Sequence, residues 1–97
     1  MVKNRRKWTV YLLRCRGGSL YAGLTNDLEH RLAMHAAGRG SRYTRSHLPV
    51  QLVWSRAVRN ATAARKLEAA IKKMKKGEKE MMLSKNTGER KRKREKG

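Results

Sequence analysis

Residues 8–25, WTVYLLRCRGGSLYAGLT, decide the fold. Trp8 to Cys15 is rich in aromatic, β-branched and aliphatic side chains, and Leu20 to Thr25 repeats that character after Arg16-Gly17-Gly18-Ser19. Paired glycines supply the positive φ that a tight turn needs, so the stretch reads as a β-hairpin. The unbroken apolar run Val10-Tyr11-Leu12-Leu13 predicts a strand covered on both faces. Strand side chains alternate, so Tyr11 and Tyr21 share a face only if the turn holds an odd number of residues or a bulge compensates. A two-residue Gly17-Gly18 turn separates the tyrosines; a shared site therefore predicts a turn of three or five residues.

Outward from the hairpin, Asn26 with Glu29 three residues later resembles a helix-start cap, and Gly38 stands where a C-terminal cap is expected. A helix over Asp27 to Ala37 follows, with Leu28, Arg31, Leu32 and His35 on one stripe. That stripe sets a cation and an imidazole among apolar residues. Gly38 to Pro49, where Arg39, Arg42 and Arg45 surround Tyr43, reads as a basic, flexible connection. Val50 to Ser55 reads as a third strand with Leu52 and Trp54 on one face and Val53 on the other. Asn60 or Thr62 then caps a second helix whose Ala64, Leu67, Ile71 and Met74 form an apolar stripe. Gly77 is expected to break or bend it before a last apolar turn at Met81, Met82 and Leu83.

The 97 residues make one domain by size, expected to span residues 8–83 between a basic arm at 1–7 and a basic tail at 84–97 that stays disordered until it meets an anion. Lys plus Arg number 26 against 7 Asp plus Glu, a formal charge of +19 that exceeds what solubility requires and points to a polyanionic partner. Hydrophobic residues at 38% are too many for a wholly disordered chain, and no run approaches the roughly 18 apolar residues of a membrane span. No membrane partner is expected. Cys15 is the only cysteine, which permits no internal disulfide and favours a reducing, cytoplasmic setting; no secretion signal is read in the basic N-terminal residues. One thiol and three scattered histidines offer no tetrahedral zinc spacing.

Taken singly, the polar residues have bland readings. Arg31 is a snorkelling cation, His35 an imidazole near a helix end, and Glu68 the partner of Lys72 in an i,i+4 pair worth a few tenths of a kcal/mol. Gly23, inside a strand, admits a close approach by a phosphate or by a neighbouring side chain. The seven acids include no arrangement suited to two adjacent metals, whereas one Glu with phosphate oxygens and waters suffices for a single Mg²⁺.

Order and spacing carry more than any single residue. Thr9-Val10-Tyr11, Tyr21-Ala22-Gly23, Arg31 with His35, Tyr43-Thr44-Arg45 and Glu68 in Ala64-Arg65-Lys66-Leu67-Glu68 together resemble the GIY-YIG nuclease family, in particular its small stand-alone bacterial members. The resemblance runs from Trp8 to Leu83. It implies an α+β fold, a three-stranded antiparallel sheet flanked by helices, and metal-dependent hydrolysis of phosphodiesters. Position by position, it assigns Tyr11, Tyr21, Arg31, His35 and Glu68 to catalysis, with Glu68 also the ligand of a divalent metal, Mg²⁺ or its substitute Mn²⁺. Gly23 matches the signature glycine, and Thr9 stands where the signature has its first glycine. The late asparagine of longer members is not assigned a position.

Arg31 is suited to phosphoryl charge, and nearby cations favour a phenolate, so either Tyr11 or Tyr21 is a candidate general base. His35 orients a tyrosine or the phosphate, or is itself the base. Gly23, Arg39, Arg42, Tyr43, Arg45 and Lys72 are expected to bind substrate. The expected function is an endonuclease of DNA repair or processing, DNA being preferred over RNA, with no obligate protein partner inferred. The competing reading is a non-catalytic DNA- or RNA-binding module on a degenerate nuclease fold; binding by counterion release does not require the set Tyr11, Tyr21, Arg31 and Glu68.

Overall fold

The computed structural model describes residues 7–84, so the expectations for the arm and the tail lie, apart from Lys7 and Ser84, outside the described residues. The chain runs β1 (Trp8–Arg14), β2 (Leu20–Thr25), α1 (Leu28–Ala36), α2 (Arg42–Ser46), β3 (Gln51–Val58) and α3 (Ala61–Lys73), followed by a helix over residues 76–84, here α4. The sheet is antiparallel with order β2-β1-β3. Its central strand is the unbroken apolar run: Val10, Tyr11, Leu12 and Leu13 are all buried, as a strand covered on both faces must be. One face carries Val10, Leu12, Ala22 and Trp54 against Ala64 and Ile71 of α3 and Leu83 of α4. Fully burying a side chain of the size of Val10, Leu12 or Ile71 contributes about 1.5–3 kcal/mol, so this face anchors the domain. The other face carries the tyrosines.

The register decides that. Tyr11 pairs with Gly23 and Leu13 with Tyr21, so Tyr11 and Tyr21 point to the same side. The turn is Arg16-Gly17-Gly18, closed by a Cys15 N–H bond to the Ser19 carbonyl at 2.8 Å and a Gly18 N–H bond to the Cys15 carbonyl at 2.9 Å. Gly17 and Gly18 take φ of +92° and +95°, which only glycine adopts cheaply. Three residues, an odd number, thus bring the tyrosines together.

Several local expectations are corrected. Asp27 rather than Asn26 caps α1, accepting from the His30 N–H at 3.3 Å. Gly38 does end it: with φ +81°, its N–H reaches the His35 carbonyl while the Arg39 N–H reaches Met34, two bonds that satisfy orphan carbonyls. The expected flexible connection contains α2, because Ser41 caps it through the Thr44 N–H. β3 extends to Val58, and Leu52 and Trp54 do not share a face. Leu12 pairs with Trp54 but Leu13 with Leu52, so Val53 is an extra, bulged residue that packs with Trp54 toward the core while Leu52 is exposed. Asn60, not Thr62, caps α3, its side chain accepting from Ala63 N–H at 2.8 Å. The break after α3 falls at Met74, not Gly77: Glu78 reaches back to the Lys75 N–H at 2.9 Å, a side-chain cap that starts α4 with Gly77 inside its first turn. α4 is fastened to the sheet by a two-pronged pair in which both terminal nitrogens of Arg14 hold the Glu80 carboxylate, Nη2 to Oε1 at 2.9 Å.

Candidate active site

On the tyrosine face, His35 is the fully buried residue of α1 and lies in the angle between two strands. Its ring meets Tyr11 edge-on at 5.8 Å between centroids and Tyr21 at 5.5 Å. The Tyr11 hydroxyl lies 3.0 Å from His35 Nε2, and Nδ1 lies 2.9 Å from Thr44 Oγ1. Thr44 is itself fully buried and directs Oγ1 to the Ser41 carbonyl at 3.3 Å. Thr44 Oγ1 also lies 2.9 Å from Ser41 Oγ, so its one proton has the Ser41 carbonyl, the Ser41 hydroxyl and His35 Nδ1 within reach. In the tautomer with the ring proton on Nδ1, Thr44 accepts from the ring, Nε2 is the acceptor and Tyr11 donates to it. The bland reading of His35 as an imidazole near a helix end is replaced by an interior, doubly bonded ring.

Two glycines make this packing possible. A Cβ on Gly23 would lie 2.5 Å from Tyr11 Cζ, and one on Gly40 would lie 2.5 Å from His35 Cγ, both far inside van der Waals contact with ring atoms. Of the two approaches expected at Gly23, the one found is the neighbouring side chain, the Tyr11 ring. Gly40 also accepts a 3.0 Å hydrogen bond from Arg31 through its carbonyl, which fixes the half-buried guanidinium beside the tyrosine.

The charges act on one another. Burial raises the Tyr11 pKa above its ordinary value, and that effect outweighs the hydrogen bond and positive charge of Arg31, which lower it; Tyr21 and the Glu68 carboxylate raise it further. The expectation that surrounding cations favour a phenolate is therefore corrected for Tyr11, which is held as the phenol. Burial, then Arg31, lowers the His35 pKa, keeping the imidazole neutral near pH 7 and fit to accept the Tyr11 proton. Glu68, from the flank of α3, is near enough to Tyr11 for its charge to be felt there; its Oε2 also takes Lys72 Nζ at 3.4 Å. Lys72, expected on substrate, is thus engaged with Glu68.

The remaining expected binding residues lie on α2 and just before it. Tyr43 is exposed, stacks on His47 at 4.1 Å, and shares a 2.6 Å hydrogen bond with Ser19. Arg39, Arg42 and Arg45 line a pocket of about 310 Å³ together with Gly38 and Ser41. Sequence reading gave no role to Gly40, Ser41 or Thr44, which fix His35 and Arg31. Thr44 lay within a motif that resembled the family, but a threonine in a basic loop carries no sign that it will be buried.

Among the described residues no three His, Cys, Asp or Glu side chains group as metal ligands, so an all-protein metal cage does not fit. A single hard-oxygen donor does. The half-buried Glu68 carboxylate, 21% exposed at its side chain and near enough to Tyr11 to act on its charge, suits a divalent cation that keeps most of its shell as water and substrate oxygens.

The chain matches the GIY-YIG catalytic domain, a nuclease domain, over residues 7–81 and belongs to that family. Its relatives include a UPF0213 protein of Streptococcus pneumoniae, 43% identical over 77 residues that cover 79% of this chain and 78% of that one. A UPF0213 protein of Xanthomonas axonopodis is 46% identical over 69 residues, 71% of this chain and 68% of the relative. The fold also resembles two solution NMR structures. The UPF0213 protein BH0048 of Bacillus halodurans has a TM-score of 0.54 at 36% identity, with 80% of this chain and 83% of that one covered. The E. faecalis protein EF2693 has a TM-score of 0.58 at 34% identity, covering 84% and 86%.

Proposed function

We propose that the chain is a metal-dependent endonuclease that hydrolyses DNA phosphodiester bonds, acting in the cytoplasm in repair or processing of DNA. The observation that carries this reading is the buried relay from Tyr11 through His35 to Thr44, with the opposite charges of Arg31 and Glu68 both acting on the Tyr11 hydroxyl. Binding by counterion release does not require these groups around one hydroxyl, whereas an attack on phosphorus uses them.

In this reading Tyr11 is the general base and His35 its proton acceptor. As a water attacks phosphorus, its proton passes to Tyr11 Oη while the Tyr11 proton moves to His35 Nε2, so the phenolate never accumulates. The bond from phosphorus to the leaving ester oxygen breaks, and that oxygen takes a proton from solvent water. Thr44 keeps Nδ1 as the donor side of the ring and Nε2 as the open acceptor. The cost of an imidazolium beside Arg31 is offset by the negative charge of the bound phosphodiester. Arg31 faces the phosphoryl oxygens where charge develops. Tyr21, edge-on to His35, positions the ring. Mg²⁺, or Mn²⁺ in its place, held by Glu68, would lower the pKa of the attacking water and polarise the phosphoryl group.

A cleavage assay over linear, nicked, branched and single-stranded DNA, with matched RNA, tests the reading. Cleavage with Mg²⁺ and none with chelator is expected, DNA being cut faster than RNA. Binding without cleavage on every substrate would favour the non-catalytic module instead.

A further inference from the structure

The pocket of Gly38, Arg39, Ser41, Arg42 and Arg45 is not part of the relay, yet it shares its backbone. Arg39, Arg42 and Arg45 line its volume of about 310 Å³, and among the described residues no carboxylate pairs with any of them. Three like charges around one concavity repel one another, and that repulsion persists unless an anion enters. The arrangement is also built. The α1 terminus, turned by Gly38 at φ +81°, delivers Arg39, while one turn of α2 places Arg42 and Arg45 on the same side, with Arg45 Cγ 3.7 Å from the position of a Gly38 Cβ. The segment between them is held by Arg31 on the Gly40 carbonyl and by Thr44 on His35. Pocket and relay are therefore one rigid loop apart.

We infer that this pocket takes the terminal phosphate of a nucleic-acid strand, so that the enzyme acts near phosphorylated strand ends. A terminal phosphomonoester carries nearly two charges and three free oxygens, which forked guanidinium donors arriving from several sides engage together; an internal phosphodiester offers one charge and two free oxygens. Three arginines lining one concavity match the first. A flat array of separated cations, such as Arg65 and Lys66 on the exposed side of α3, matches the second. The inference rests on the nuclease reading for its consequence but not for its test, which needs no cleavage.

The test is equilibrium binding of the full chain in chelator to one single-stranded oligonucleotide carrying a 5′-phosphate, a 3′-phosphate or neither. A preference of about tenfold or more for one phosphorylated end is expected, the scale of one added charge-assisted contact or slightly more. Arg42→Gln with Arg45→Gln, both exposed positions, should abolish the preference. Arg65→Gln with Lys66→Gln removes the same charge elsewhere and should weaken all three oligonucleotides alike while leaving the preference intact. Equal affinity for the three oligonucleotides, or an equal loss of preference in both double variants, overturns the inference. Preference without cleavage in the Mg²⁺ assay would leave this site standing and remove the nuclease reading; cleavage without preference would do the reverse.

Discussion

At the scale of single residues, two atoms decide the site: the Tyr11 hydroxyl and the missing Cβ of Gly40. Tyr11→Phe keeps the ring against Gly23 but removes the proton donated to His35, so turnover should fall by about 10²–10⁴, the usual range for a lost acid–base group. The accompanying loss of stability should be near 1 kcal/mol, about one net hydrogen bond, which denaturant titration would register. Wild-type turnover in Tyr11→Phe would move the base to Tyr21 or His35. Gly40→Ala is a packing experiment. Its methyl would overlap the His35 ring, which is fully buried and cannot swing away, so a destabilisation of about 1–3 kcal/mol is expected from overpacking. The same substitution at Gly77, where a Cβ meets nothing within 4 Å, should leave the midpoint unchanged or raise it. These glycines look alike in the sequence; only the fold distinguishes them.

At the scale of elements, the unit that matters is α1 with α2, since a helix of one turn supplies the threonine that fixes the histidine of the other. Its signature is a pH dependence. The His35 pKa is lowered in the folded protein, so below about 6.5 the unfolded chain takes up a proton that the folded one refuses. The contribution of His35 to stability is whole above that pH and lost as pH falls toward the lowered folded value. Urea midpoints between pH 7 and 5 should therefore decline on acidification, and the decline should shrink in His35→Gln; an identical slope in the variant would mean that His35 does not titrate as its burial requires. The sequence made much of this level legible: the hairpin, α1 and α3 follow from apolar spacing and turn glycines, and the odd turn follows once Tyr11 and Tyr21 are required to share a site. What it hid was α2, the bulge at Val53 and the helix break at Met74. The bulge is set by pairing with β1, distant in the chain. By contrast, α2 and the break rest on local side-chain caps, Ser41 on the Thr44 N–H and Glu78 on the Lys75 N–H, chosen among neighbouring residues as Asp27 is over Asn26. Within the site, Tyr11, Tyr21, Arg31, His35 and Glu68 were visible through their spacing, whereas the roles of Gly40 and Thr44 exist only once His35 is buried.

At the scale of the whole molecule, a charge of +19 ensures that affinity for any polyanion is high and salt-dependent. Residues 84–97 hold seven of the cations, Lys85, Arg90, Lys91, Arg92, Lys93, Arg94 and Lys96. If they reach phosphates, each one neutralised adds about 0.9 to the slope of log affinity against log salt on duplex DNA. A chain ending at Leu83 should then show a flatter slope and a higher KM with kcat largely kept; an unchanged slope would contradict that division of labour. None of this charge explains chemistry, for which, among the described residues, Glu68 is the carboxylate whose charge acts on Tyr11. The most direct measurement is single-turnover cleavage of a DNA substrate by wild type and by Glu68→Ala, each shown to be folded, with Mg²⁺ present. Cleavage by wild type and a loss of roughly a hundredfold or more in Glu68→Ala are predicted, since the variant retains the relay but not the metal's protein ligand. Equal rates in the two proteins would contradict the assignment of Glu68 and, with it, the metal-dependent mechanism.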